Sequence, residues 1–245
     1  PVISICVMSP YFLKKKNQFH LKKCRILPRL FGGIFSSGLP SLITEVSSGI
    51  VIIVFNMIIL GLEGNTGVAA YGVIANLSLV VVAIYTGIAQ GIQPVISSQY
   101  GSGNKKAAAS ILRYALTTMA VISAGVYLLI FFFAPEIARI FNSENSAALQ
   151  SIAVGGLKVY FIGSIFAGFN IIASMFFTST EYPFPAHIIS ILRGFVVIIP
   201  AAFILSALAG MNGVWSAFPA TEAAVALVGC ILLIKRLQKL KGAKV

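Results

Sequence analysis

Carboxylates inside apolar stretches are the residues of this sequence best suited to do chemistry. The sequence contains six glutamates and no aspartate, and two of the glutamates, Glu45 and Glu222, lie well inside long apolar runs. An ionised carboxylate is costly in such surroundings unless it faces other protein groups or a water-filled cavity. Glu45 is therefore our candidate for cation or proton coupling, because it could bind and release a proton or a monovalent cation. The alternative is a protonated glutamate that only hydrogen-bonds a neighbouring helix.

Small and polar side chains recur at helical spacing in the same apolar runs. Ser41, Ser48, Gly49 and Asn56 share a helix face with Glu45, since residues three, four and seven apart lie on one side of a helix. Such a face could line a cavity for a solute, but the same side chains could instead join neighbouring helices by hydrogen bonds. Our candidates for lining a substrate cavity are Ser48, Asn56, Asn76, Gln90, Gln93, Asn170 and Glu222.

Motifs of membrane enzymes and metal sites are missing from the sequence. HExxH and GxSxG do not occur, so zinc and serine hydrolase chemistry lack their usual ligands and nucleophile. The two histidines, His20 and His187, have no partner at zinc-ligand spacing. We therefore predict a protein that is not an enzyme, has no metal site and needs no cofactor.

Composition indicates a membrane protein. Hydrophobic residues make up 58% of the 245 residues and charged residues only 10%, whereas soluble domains carry about 25% charged residues. We predict an all-α fold, a polytopic membrane protein whose six-transmembrane-helix bundle is surrounded by the lipid bilayer. Six apolar runs reach the roughly 20 residues that a membrane-spanning helix needs, and they are Leu39–Leu62, Val68–Ser97, Ala107–Ala134, Ile152–Phe177, Phe184–Leu208 and Val214–Ile234.

Basic residues cluster in alternate gaps between these runs. The formal net charge is +12, but the lysines and arginines concentrate before the first run, between the second and third, and after the sixth, as in cytoplasmic loops. This pattern predicts that both ends are cytoplasmic. It argues against a nucleic-acid partner, which favours basic and aromatic residues interleaved on one soluble surface. We expect residues 1–13 to end a preceding transmembrane helix, 14–38 to be a basic cytoplasmic linker, 39–236 the six-helix lobe, and 237–245 a basic cytoplasmic tail.

Several short segments, in order and spacing, resemble one transporter family. The segments are GLPSLITE (38–45), GIAQGIQP (87–94), YGSGN (100–104), ILR (191–193), GVW (213–215) and PATE (219–222). Together they are similar to the C-terminal lobe of the multidrug and toxic compound extrusion (MATE) family. The resemblance implies a twelve-helix antiporter of two six-helix lobes, of which the N-terminal lobe is missing from this chain and residues 14–38 form the inter-lobe linker.

The resemblance also implies a function and a role for Glu45. Members export cationic or amphiphilic drugs in exchange for H⁺ or Na⁺ by alternating access, here in the bacterial cytoplasmic membrane. Glu45 matches the acidic residue that many members carry in the first helix of this lobe. Some members have an aspartate in the helix matching the fourth run, where Asn170 is the nearest polar residue.

Two alternatives to a drug antiporter remain open from the sequence. One is a lipid-linked saccharide flippase of the same superfamily, whose cavity would be lined by several basic residues. Lys158 and Arg193 are our two candidates for such residues, and so small a number argues against it. The other is a helical membrane subunit that transports nothing by itself.

Overall fold

Helices account for all the regular structure in the part of the chain that the structure, a computed structural model, describes: residues 9–10 and 28–242. The predicted all-α fold is confirmed. In chain order the elements are α1 (Pro28–Gly101), α2 (Lys105–Phe132), α3 (Ala134–Phe141), α4 (Ala147–Tyr160), a 3₁₀ turn (Phe161–Gly163), α5 (Ser164–Ser179), α6 (Phe184–Ile191), a π-helical turn (Leu192–Val196) and α7 (Ile198–Gly242).

Among these residues, four helical runs are long and apolar enough to cross a membrane. Their most apolar windows have mean hydropathies between 1.8 and 2.5. Large side chains project outward along them. For example, Tyr114, Val121 and Phe132 of α2 are between 68% and 74% exposed. An apolar outer surface of this kind suits lipid and not water as the surrounding solvent. The four runs are Gly32–Gly101, Lys105–Phe132, Ala147–Ser179 and Phe184–Leu240.

Two of the runs contain a backbone break. Gly64 in α1 has φ 61° and ψ −153°, and Gly210 in α7 has φ 55° and ψ −133°. Glycine adopts such positive φ values without the steric penalty that other residues meet. The breaks lie between the first and second predicted spans and between the fifth and sixth. The count of six separate spans stays a prediction, because each of these pairs forms one helical run with a break.

The chain divides into two compact units, residues 1–35 and residues 36–245. The predicted helix end at 1–13 and the first half of the predicted linker at 14–38 lie outside the described residues, apart from residues 9–10. The last part of that linker, from Pro28, belongs to α1. In the predicted tail at 237–245, α7 continues to Gly242, and residues 243–245 lie outside the described part. The domain boundaries stay predictions.

A proline inside α1 is accommodated by a histidine from α6. Pro40 has no N–H, so the carbonyl of Ser36, four residues earlier, loses its helical hydrogen bond. His187 Nε2 lies 2.8 Å from that carbonyl oxygen. Because a carbonyl oxygen only accepts, Nε2 must carry the proton and donate it. His187 therefore satisfies the backbone group that Pro40 leaves free and ties α6 to the start of α1.

A glycine in α4 allows close packing on an aromatic cluster. A Cβ at Gly156 would overlap the Ile74 side chain and would lie 2.8 Å from Trp215 Cε2. Trp215 is 2% exposed and stacks on Tyr71 with their ring centroids 6.3 Å apart. At the adjacent Gly155 a Cβ would meet nothing within 4 Å. Adding a side chain at Gly156 should therefore affect stability differently from adding one at Gly155.

We predict that Gly156→Ala destabilises the chain while Gly155→Ala does not. Overpacking against Trp215 should lower the free energy of unfolding by about 1–3 kcal/mol. At Gly155 the gain in helix propensity should leave stability unchanged or raise it by about 0.5–1 kcal/mol. Thermal unfolding of both purified variants in detergent measures the difference. Equal shifts in Tm would show that α4 does not pack on Trp215 as described.

A second prediction concerns the bond from His187 to the Ser36 carbonyl. His187→Leu leaves this carbonyl without a partner and should lower stability by about 1–3 kcal/mol. In a Pro40→Ala background the restored N–H can bond the same carbonyl, so His187→Leu should cost about 1 kcal/mol less. Chemical denaturation of the two single variants and the double variant gives this coupling. An identical loss in both backgrounds would mean that His187 does not serve this carbonyl.

Candidate functional site

One cavity of about 370 Å³ lies among the membrane-spanning helices. Its walls come from both parts of α1, from α4 to α7 and from the π-helical turn. Apolar side chains alternate with many hydroxyl groups, a lining suited to an amphiphilic molecule. The serine and threonine side chains that line it are Ser41, Thr44, Ser47, Ser48, Ser78, Thr86, Ser174, Thr178 and Ser190.

Three charged side chains, Glu45, Glu222 and Arg193, also line this cavity. Arg193 Nε donates to Glu222 Oε1 at 2.7 Å, and the two side chains are 15% and 3% exposed. A buried carboxylate needs such a partner, because an isolated charge inside a span is strongly unfavourable. With this pair neutralised, the ionised form of Glu45 leaves the lining with one excess negative charge.

Asn170 holds Glu222 from the side away from Arg193. Its Nδ2 donates to Glu222 Oε2 at 2.8 Å and to the Glu222 backbone carbonyl at 3.0 Å. Both amide hydrogens are thus used, while Asn170 Oδ1 has no hydrogen-bond partner among the described residues. Asn170 is fully buried and supports the lining without being part of it. Within the same residues, no group of three His, Cys, Asp or Glu side chains could hold a metal ion.

The π-helical turn between α6 and α7 places Arg193 at the cavity. The N–H of Val197 bonds the carbonyl five residues earlier at 2.9 Å, which is the π pattern. Helix α7 then restarts so that Pro200 falls in its first turn, where N–H groups have no partner within the helix. A Cβ at Gly194 would lie 2.6 Å from Ser47 Cβ. Helix α1 therefore packs directly against the turn that carries Arg193.

Glu45 differs from Glu222 in having no hydrogen-bond partner among the described residues, and it is exposed. The three hydroxyl groups within three residues of it are engaged with their own helix. Thr44 Oγ1 donates to the Pro40 carbonyl at 2.9 Å, and Ser47 and Ser48 Oγ donate to the Thr44 carbonyl at 3.0 and 2.8 Å. Since their protons are used, these hydroxyl oxygens have lone pairs left to accept from a ligand.

Four other sequence candidates lie away from this cavity. Asn56 is half-buried, whereas Asn76, Gln90 and Gln93 are exposed, and none of the four lines it. Asn76 Nδ2 donates to the Gly72 carbonyl of its own helix at 2.8 Å. The cavity thus brings together Ser48, Glu45 and Glu222, with Asn170 behind them.

The sequence analysis missed the ion pair and the aromatic part of the lining. Arg193 and Glu222 are opposite charges within predicted spans, and that signal alone could have suggested that they pair. Tyr71, Tyr160 and Phe218 also line the cavity, and the Tyr160 and Phe218 rings stack with centroids 4.3 Å apart. Aromatic residues in spans are too common to be recognised as cavity residues without a structure.

Sequence comparisons connect this chain to drug exporters. The MatE family model matches residues 40–204, about two thirds of the chain. The multidrug export protein MepA of Staphylococcus saprophyticus is 29% identical over 209 residues, which are 84% of this chain and 45% of that protein. MepA of Staphylococcus aureus strain RF122 is 25% identical over 225 residues, which are 91% of this chain and 49% of that protein. The chain thus spans about half the length of these curated relatives.

Solved structures show the same fold. An outward-facing multidrug resistance MATE family transporter of the MOP superfamily superposes with a TM-score of 0.89 at 22% identity, covering 98% of this chain and 54% of that one. An inward-facing structure of such a transporter gives a TM-score of 0.80 over 90% of this chain and 51% of that one. From the family match, the fold and the apolar helices together, this chain is a multi-pass membrane protein that belongs to the MatE family.

Proposed function

We propose that this chain is one lobe of a multidrug efflux antiporter that exports cationic or amphiphilic compounds in exchange for H⁺ or Na⁺ by alternating access. The observation that carries the proposal is the cavity of about 370 Å³ within membrane-spanning helices, lined by two glutamates and one arginine. The name of its relative MepA, a multidrug export protein, supports a drug as the substrate. The alternating basic loops support an orientation with both ends cytoplasmic, and the Staphylococcus relatives support the bacterial cytoplasmic membrane.

The chemistry of the lining favours a cation. With the Arg193–Glu222 pair intact, Glu45 contributes an excess negative charge. The engaged hydroxyls beside it offer oxygen lone pairs and not protons. Tyr71, Tyr160 and Phe218 add aromatic surface to the lining. An organic cation with apolar groups would therefore find both an opposite charge and an apolar surface here.

Glu45 is the residue to which we assign the coupling ion. It lines the cavity and has no partner within the described residues, so a proton or Na⁺ can bind it without breaking an internal contact. A drug cation and the coupling ion would then compete for one carboxylate. Such competition couples the two fluxes, because each ligand lowers the affinity for the other by the same factor.

A flippase for lipid-linked saccharides is less well supported. Such a cavity needs free positive charge to hold a phosphate group. Among the described residues that line the cavity, Arg193 is the one basic side chain, and its Nε is committed to Glu222. Lys158 instead lies over the Phe131 ring, 5.1 Å from its centroid, and does not line the cavity.

Export can be tested by joining the chain to the half of Staphylococcus saprophyticus MepA that it does not cover. Cells that make this chimera should accumulate less ethidium, a fluorescent organic cation, than cells that make the chain alone, because two lobes are needed to enclose the substrate. In proteoliposomes, an imposed H⁺ or Na⁺ gradient should then drive uptake. Transport that ignores both gradients would contradict antiport, and no export at all would contradict the proposed function.

We predict that Glu45→Gln uncouples export in the same chimera. Loss of the coupling carboxylate should lower gradient-driven ethidium transport by at least about fivefold, the lower end of typical coupling. Glu63→Gln is the matched control, because Glu63 is exposed beside the α1 break and does not line the cavity. Initial rates in proteoliposomes at equal protein content provide the measurement. Equal rates for Glu45→Gln and Glu63→Gln would remove Glu45 from the mechanism.

A further inference from the structure

The two members of the cavity ion pair are held very differently. Glu222 is 3% exposed, and both of its carboxylate oxygens are engaged, one by Arg193 and the other by Asn170. Arg193 is five times more exposed, at 15%. Only its Nε has a partner, because its two terminal nitrogens bond no described residue. The carboxylate is thus fixed in place, whereas the guanidinium is attached at one point and faces the cavity.

We propose that Arg193 is a specificity-determining residue, a tethered counter-cation that occupies Glu222 and thereby sets the charge of the compound that the cavity accepts. This inference rests on the proposed function, because it concerns the same cavity and the same cationic substrates. The exchange proposed above uses only one carboxylate, that of Glu45. The pair decides whether a second charge, negative from Glu222 or positive from Arg193, also acts on the compound.

Asn170 makes this role possible. Because its amide keeps a hydrogen bond to Glu222 Oε2 and another to the Glu222 backbone carbonyl, the carboxylate stays oriented whether or not Arg193 contacts it. Arg193 stands on a π-helical turn, a geometry that recurs at functional sites and is less regular than an α-helix. A change at Arg193 should therefore alter the charge of the cavity more than its shape.

The expected size of the effect follows from Coulomb attraction. A unit charge about 8 Å from the ligand, at the effective dielectric constant near 20 that suits protein sites, changes affinity by about thirtyfold. Removing Glu222 leaves the Arg193 guanidinium, which does not deprotonate, uncompensated and changes the cavity charge by one unit. Removing Arg193 changes it by one unit in the other direction while the Glu222 carboxylate is ionised. Removing both restores the original balance. The single variants should thus shift affinity in opposite directions, and the double variant should not.

Two probes of the same size and opposite charge test this directly: tetraphenylphosphonium and tetraphenylborate. Binding to the purified 245-residue chain in detergent is measured by equilibrium dialysis, with protein-free micelles subtracted. The wild-type chain should prefer the cation. Arg193→Gln should strengthen tetraphenylphosphonium binding and weaken tetraphenylborate binding by about thirtyfold each, and Glu222→Gln should do the reverse.

Two controls separate this role from a structural one. Lys158→Gln removes a positive charge from the same lobe but outside the cavity, so the preference should stay as in the wild type. The double variant Arg193→Gln/Glu222→Gln should also return to the wild-type preference. If Arg193→Gln fails to fold, Glu222→Gln is compared with the double variant. Stronger tetraphenylborate binding by Glu222→Gln than by the double variant supports the role. Equal tetraphenylborate binding by the two variants overturns it.

The outcomes distinguish this inference from the proposed function. A wild-type chain that prefers tetraphenylborate, or binds neither probe, contradicts cation export itself. A wild-type preference for tetraphenylphosphonium that Arg193→Gln and Glu222→Gln leave unchanged contradicts only the role of Arg193. If Lys158→Gln shifts the binding preference as much as Arg193→Gln does, the effect comes from the net charge of the chain, and the role of Arg193 is also overturned.

Discussion

Lipid offers no hydrogen-bond partner, so every polar group inside a span must find one within the protein. The helices meet this constraint with three kinds of hydrogen bond. Serine and threonine hydroxyls donate to carbonyls of their own helix, as Ser48 does to Thr44. Where Pro40 removes a backbone donor, His187 from another helix serves the freed carbonyl. Where a carboxylate is buried, Glu222 is held by a cation and an amide together. The polar groups on the cavity wall that have no partner among the described residues are therefore the ones available to a ligand.

Much of the fold could be predicted because hydrophobic length is a strong signal. Apolar runs of about 20 residues predicted membrane-spanning helices, and the structure is helical in those runs except at Phe133 and Val197. In two of the gaps between those runs, Gly64 and Gly210 adopt positive φ. After the second of those runs, Asn104 of the YGSGN segment caps α2 by accepting from the Ala107 N–H at 3.1 Å.

The composition of the site was harder to predict, because hydrophobicity does not fix the rotation of a helix about its axis. Asn76 and Gln90 fit a polar face as well as Ser48 does, yet only Ser48 lines the cavity. The pairing of Arg193 with Glu222 joins residues 29 positions apart and depends on a π-helical turn. Pro200 limits where α7 can begin, but the sequence does not place the extra residue of the turn. Such contacts depend on packing, which pattern analysis does not describe.

The cavity holds two carboxylates whose surroundings suit them to different tasks. Glu45 is exposed and has no partner within the described residues, so binding a proton or a cation there disturbs no internal contact. Glu222 is buried and held on both oxygens, so changing its charge would leave Arg193 uncompensated in an apolar setting. The first carboxylate can therefore exchange ligands in every transport cycle. The second is neutralised by Arg193, so the pair adds no net charge and keeps the charge of the cavity constant while each compound is selected.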